Sequence, residues 1–179
     1  MNAKAVDPRG ALLAIDVHYC DPQAVAAGVL FGSWSQAVPS ATYTLPIAPV
    51  APYVPGQFYQ RELPCILALL ETIPAAIGCI IVDGYVTLGT EAKPGLGWHL
   101  WQHLGQRIPV IGVAKSAFQE TDPATAVYRG ASQRPLYVTA VGVELALAQG
   151  WVQQMHGNYR LPTLLKAVDR LCRQALDLP

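Results

Sequence analysis

The run Leu12-Leu13-Ala14-Ile15-Asp16-Val17 sets one acid in an otherwise unbroken apolar stretch. A run of this kind reads as a strand with apolar residues on both faces, hence a buried one. A carboxylate left unpaired there is costly to desolvate and tends to stay protonated. Asp16 therefore needs a partner, and a divalent cation is one candidate. Cys79-Ile80-Ile81-Val82-Asp83-Gly84 repeats the pattern, with the acid closing the run where a strand ends. Either Asp alone reads equally well as a strand-end or turn residue. Taken together they favour two strands of one sheet that present their carboxylates side by side. Mg²⁺ is held in that way, by one or two carboxylates plus waters and substrate phosphates.

The rest of the chain limits what such a site can serve. Its 179 residues suit a single domain, expected to span 1–179, with a sizeable core. Hydrophobic residues make up 52% and charged residues 13%, yet no apolar run approaches the ~20 residues that span a bilayer. The start, MNAKAVDPRGALLAIDVHY, lacks a signal-peptide arrangement, and the expected location is the cytoplasm. Cys20, Cys65, Cys79 and Cys172 are scattered without CxxC spacing, which argues against zinc and against a disulfide framework. Formal net charge is zero. That argues against tight non-specific binding of nucleic acid, which is dominated by phosphate neutralisation; a small local basic site remains compatible with it.

Along the chain, strands are expected over 11–19, 24–31 and 41–47. The first two form a hairpin across the Cys20-Asp21-Pro22 turn, and Pro46 marks the third as an edge or strand end. Ala51-Pro52-Tyr53-Val54-Pro55-Gly56 places Tyr53 on a loop stiffened by two prolines. Apolar spacing then predicts a helix over 57–72 that carries Glu62, whose commonest reading is a solvated helix surface. A fourth strand covers 80–83, a glycine-bearing loop 84–95, a short helix 96–105 and a fifth buried strand 108–114. Residues 117–134 read as irregular. A last strand at 135–139 and helices over 142–156 and 163–176 complete the chain. Antiparallel strands first and crossovers later predict a mixed sheet flanked by helices. Right-handed crossovers set strands four and five parallel beside strand one. The expected fold class is α/β, with a ribonuclease-H-like sheet of three antiparallel strands followed by parallel ones, and Asp16 and Asp83 on neighbouring strands.

Five motifs in order then resemble the endonuclease V family. They are Pro52-Tyr53-Val54-Pro55-Gly56, Arg61-Glu62, Val82-Asp83-Gly84, Gly112-Val113-Ala114-Lys115-Ser116, and Tyr159-Arg160-Leu161-Pro162 followed by Ala167-Val168-Asp169-Arg170-Leu171. Ile15-Asp16-Val17-His18-Tyr19 fits the family's first strand. The resemblance implies a metal-dependent nuclease, using Mg²⁺ or Mn²⁺, that nicks inosine-containing DNA or RNA. It implies Asp16, Glu62 and Asp83 as metal-binding and catalytic carboxylates and Lys115 as the catalytic lysine. Tyr53, Pro55 and Gly56 would form the wedge that separates strands, and Gly84 part of the pocket for a flipped base. The chemistry agrees. Phosphodiester hydrolysis needs an activated water and a stabilised leaving oxygen, a lysine supplies a point charge for phosphate, and a flipped base leaves a gap to prop.

The chain departs from the family in three places. Leu88-Gly89-Thr90-Glu91-Ala92-Lys93 has no counterpart of the family's His-Pro-Arg segment. Val143 follows Gly142 where the family has Gly-His. The stretch from Lys115 to Pro135 is short. His18, His99, His103 and His156 are not assigned as replacements, and His99 reads as a packed or solvated helix residue. The expectation is slow hydrolysis; the alternative is a nucleic-acid or nucleotide binding protein of the same fold with impaired catalysis.

Overall fold

The structure, a computed structural model, describes residues 10–176. The loose lead-in expected over 1–10 thus lies, apart from Gly10, outside the described residues.

Strand β1 (Ala11–Cys20) turns tightly into β2 (Gln23–Phe31), and β3 (Ala41–Ile47) follows. All three pair antiparallel. The run Leu12–Val17 is buried, as its composition demands, and β2 is buried over all but its first residue. Helix α1 (Phe58–Glu71) follows the proline-rich loop. It contains Pro64, which lies on the solvent side where water can serve the carbonyl that a proline leaves unbonded. Strand β4 (Ile77–Asp83) begins three residues earlier than its apolar run implied. The following loop holds a two-residue hairpin, β5 (Thr87–Leu88) with β6 (Lys93–Pro94), too short to leave a periodic signal. Then come α2 (Leu96–His103), β7 (Val110–Ala114), a single 3₁₀ turn at Pro123–Thr125, β8 (Ala126–Val127), β9 (Leu136–Val141), α3 (Leu145–Gln154) and α4 (Thr163–Leu176).

The main sheet has seven strands in the order β3-β2-β1-β4-β7-β9-β8. β1, β4 and β7 are parallel, joined by the α1 and α2 crossovers. β9 runs antiparallel to β7, and β8 antiparallel to β9. The far edge thus returns to antiparallel pairing, which the order of the apolar runs did not announce. The reason is local: the 115–135 connection holds no crossover helix, and a parallel return needs one.

Side-chain parity assigns the two layers. Leu12, Ala14, Cys79, Ile81, Ile111 and Val113 pack on the side covered by α3 and α4. Leu13, Ile15, Ile80, Val82 and Val110 pack on the side of α1 and α2. Strand side chains alternate between faces. Asp16, Asp83 and Lys115 continue the first set and so face α4.

Candidate metal centre and its flanking clefts

Register brings the two strand acids together. β1 and β4 are paired with Ile15 opposite Val82, so the next residues along both strands are Asp16 and Asp83. A third acid meets them from α4. Ligand oxygens of Asp16, Asp83 and Asp169 all lie within 4.8 Å of one another. Lys115, just beyond β7, closes the group: its Nζ donates to Asp83 Oδ2 at 2.7 Å and lies 3.7 Å from Asp169 Oδ1. A cavity of about 20 Å³ lined by Asp16, Asp83 and Lys115 sits against the core at this point, enough for one water-sized occupant. Hard carboxylate oxygens gathered at this spacing suit a hard divalent cation such as Mg²⁺ or Mn²⁺.

Electrostatics follow from burial and crowding. Burial, then the charge of Asp83, pushes the Asp16 carboxyl up to about 7. The backbone N–H of Val17 donates to its Oδ1 at 2.9 Å, which offsets part of the rise. The Cys172 thiol approaches its Oδ2 at 3.7 Å and is itself pushed up to about 12, first by burial. Burial lowers Lys115, but its bond to Asp83 and the surrounding carboxylates prevail and raise it. Asp169 is held below the usual range: burial opposes this, and the Arg173 fork together with Lys115 outweighs it.

Glu62 comes from the other layer. It is 3% exposed on α1, not the solvated helix residue that a lone Glu most often is. Burial, then the charges of Asp16 and Asp83, holds its carboxyl well above the ordinary value. It borders the pair without joining the three acids that crowd within 4.8 Å. Its neighbour Arg61 is anchored: the guanidinium lies 4.1 Å from the Tyr19 ring centroid and pairs with Asp21. Asp169 is the acid that sequence reasoning left out of the site. The available signal was its place beside Leu165, Val168 and Cys172 on the buried stripe of α4.

Beside the acids opens a cleft of about 330 Å³ bordered by Asp83, Gly84, Gly56 and five aromatic rings: Tyr53, Phe58, Tyr59, Tyr85 and Phe118. Tyr53 stands 57% exposed on its proline loop. Gly56 and Gly84 have positive φ (77° and 136°), which favours glycine at both turns. Tyr59 stacks face to face on His99 with centroids 3.7 Å apart. The Tyr85 hydroxyl donates to the Ser116 carbonyl at 2.7 Å and accepts from Phe118 N–H at 3.2 Å. The phenol thus ties the loop after β4 to the segment carrying Lys115. Gly112 allows these strand ends to close up, since a Cβ there would meet Gly84 O at 2.5 Å. None of the four histidines is among the three clustered acids' neighbours within that cation-sized group. Gly89 sits in the β5–β6 turn, and Val143 packs half-buried against the core.

The family model for endonuclease V matches residues 2–170. The chain belongs to the endonuclease V family. The endonuclease V of Streptomyces coelicolor is 34% identical over 191 aligned positions, covering 93% of this chain and 79% of the relative. The crystal structure of Streptomyces avermitilis endonuclease V is 30% identical and superposes with a TM-score of 0.73, covering 95% of this chain and 82% of that one. Human endonuclease V, at 20% identity, has the same fold with a TM-score of 0.76, covering 97% and 87%. Endonuclease V enzymes are metal-dependent endonucleases acting on nucleic acid at deaminated bases, with a ribonuclease-H-like fold, and this chain is an endonuclease V-like nuclease. No helix among the described residues is long and apolar enough to cross a membrane.

Proposed function

We propose that this chain hydrolyses a phosphodiester bond near inosine, with Mg²⁺ or Mn²⁺ held by Asp16, Asp83 and Asp169 and with Glu62 in the same ligand set. The observation that carries the reading is the convergence of β1, β4 and α4 on three carboxylates within 4.8 Å, with Lys115 Nζ on Asp83. When bound, the ion supplies an activated water and neutralises charge on the leaving oxygen. The chain's own residues do the rest. Lys115 presents a point charge to the phosphate. Tyr53, stiffened by Pro52 and Pro55, fills the place of an extruded base. Gly56 and Gly84 leave space at the mouth of the aromatic cleft, and Tyr59 and Tyr85 offer ring faces and edges to a base. An endonuclease V from Ciona intestinalis has been solved with DNA containing an inosine, which supports inosine as the recognised base here. We further propose that the chain acts as one domain spanning 1–179. The free cysteines, three of them buried, suit a reducing compartment such as the cytoplasm.

Steady-state kinetics on an inosine-containing oligonucleotide test the division of labour. Lys115→Ala is expected to lower kcat with little effect on KM. Tyr53→Ala is expected to raise KM and weaken preference for inosine over adenosine. The reverse pattern overturns both roles.

A further inference from the structure

A second cleft, of about 260 Å³, opens on the other side of the Lys115–Phe118 segment. Its polar border is Lys115, Ser116, Gln133, Arg134, Tyr137 and Arg160, and among the described residues no carboxylate lines it. Among the described residues it shares none with the aromatic cleft, which is bordered by Asp83 and Phe118. The ridge between the two is the segment that Tyr85 and Arg160 hold from either side. Tyr85 binds it at Ser116 and Phe118, and the Arg160 guanidinium donates to the Lys115 and Pro135 carbonyls. Asp83 borders one cleft and Lys115 the other, and their side chains meet at 2.7 Å.

The cations of the second cleft differ in what balances them. Lys115 is balanced by Asp83 and Asp169. Among the described residues Arg160 bonds only neutral carbonyls, Arg134 is exposed, and neither makes an ion pair. In a chain of zero net charge this is a local positive surface joined directly to the acidic centre.

We infer that the second cleft carries the sugar-phosphate backbone of the strand beyond the recognised nucleotide, with Arg134 as its phosphate-binding side chain. This rests on the function proposed above. A strand with its base in the aromatic cleft and its continuation in the basic one crosses the Asp83–Lys115 pair, which sets a backbone phosphate over the acids. Arginine suits the role because its fork bonds two phosphate oxygens at once. Such a contact positions the strand and reads no base.

Binding of single-stranded oligonucleotides measured by fluorescence anisotropy in Ca²⁺ tests this. The probes carry one inosine extended by one to four nucleotides on either side. Affinity is expected to grow with extension on one side only, and Arg134→Ala to remove that growth. The slope of log K against log salt should fall in magnitude by about 0.7 for a single strand, the value of one phosphate contact. Arg134→Lys should keep most of the slope, and preference for inosine over adenosine should be unchanged in both variants. An unchanged slope and an unchanged gain with length in Arg134→Ala, beside normal wild-type binding, overturn the second cleft alone. A lost inosine preference in Arg134→Ala overturns its assignment as a phosphate contact. Failure of the wild type to bind any probe overturns the proposed function and this inference with it.

Discussion

Asp16 carries a carboxyl that burial, then Asp83, lifts from 3.8 to about 7, so a cation that takes it must displace a proton below that pH. Affinity for Mg²⁺ or Mn²⁺ is therefore expected to rise as pH rises through about 7, read by calorimetric titration of the metal alone. The stability sign follows from the same shift. The native carboxyl holds its proton where the unfolded one has lost it. Its contribution is present below the unfolded value and is lost as pH rises through about 7. Without added cation, Tm should fall across that window, and Asp16→Asn should flatten the fall. A Tm that rises there, in the same metal-free protein, contradicts the assignment. Tyr85→Phe keeps the ring and removes the hydroxyl that bridges Ser116 and Phe118. It should lower kcat on inosine substrate with KM nearly unchanged, and equal kcat for variant and wild type would deny Tyr85 that role. Asp16 and Asp83 were legible in the sequence because an acid inside an apolar strand has a visible cost. Asp169 was not. It lies among Lys166, Arg170 and Arg173, and its pairing with Arg173 looks like an ordinary solvated helix turn until α4 is docked on the sheet.

Helix α4 delivers Asp169 only if the segment before it is held in place, and Arg129 holds that segment. Its guanidinium, on a residue 5% exposed, donates to the carbonyls of Met155, Gly157, Tyr159 and Arg160. Gly130 beside it lies so close to Asn158 that a Cβ would meet the Asn158 carbonyl at 2.2 Å. Arg129→Leu strands these acceptors, and a buried acceptor left unbonded costs about 1–3 kcal/mol. Urea denaturation is expected to show a loss of about 2 kcal/mol or more, with activity falling as Asp169 loses its placement. A change under about 0.5 kcal/mol, the usual range for surface positions, would deny Arg129 that function. At this scale the sequence is legible where periodicity is strong. β3 and α4 have the bounds their patterns imply, and β1 and β2 differ by a single residue at one end. It is not legible where two-residue strands and single turns carry no period, as in β5, β6 and β8. Arg129 joins residues 26 to 31 positions away in sequence, a contact that no local pattern encodes.

The whole molecule combines a small acidic centre with an aromatic cleft on one side and a basic one on the other, at zero net charge. Affinity should therefore come from these local contacts and fall with salt less steeply than for strongly basic nucleases. The positions where the family resemblance places histidines bear on speed. Gly89 and Thr90 lie in a hairpin turn and Val143 packs on the core, and none of the three side chains carries a group that exchanges a proton near neutral pH. Losing a positioned proton-transfer group costs about 10²–10⁴ in rate, and hydrolysis should be slow while remaining dependent on the acids. The most direct measurement incubates purified protein with an inosine-containing oligonucleotide in Mg²⁺ or Mn²⁺, beside Asp83→Ala and an adenosine oligonucleotide. The expected result is slow nicking of the inosine strand alone, absent in EDTA and absent in Asp83→Ala. Inosine-selective binding without cleavage in either metal would contradict the enzyme reading and leave a binding protein, and nicking that persists in Asp83→Ala would contradict the acidic centre.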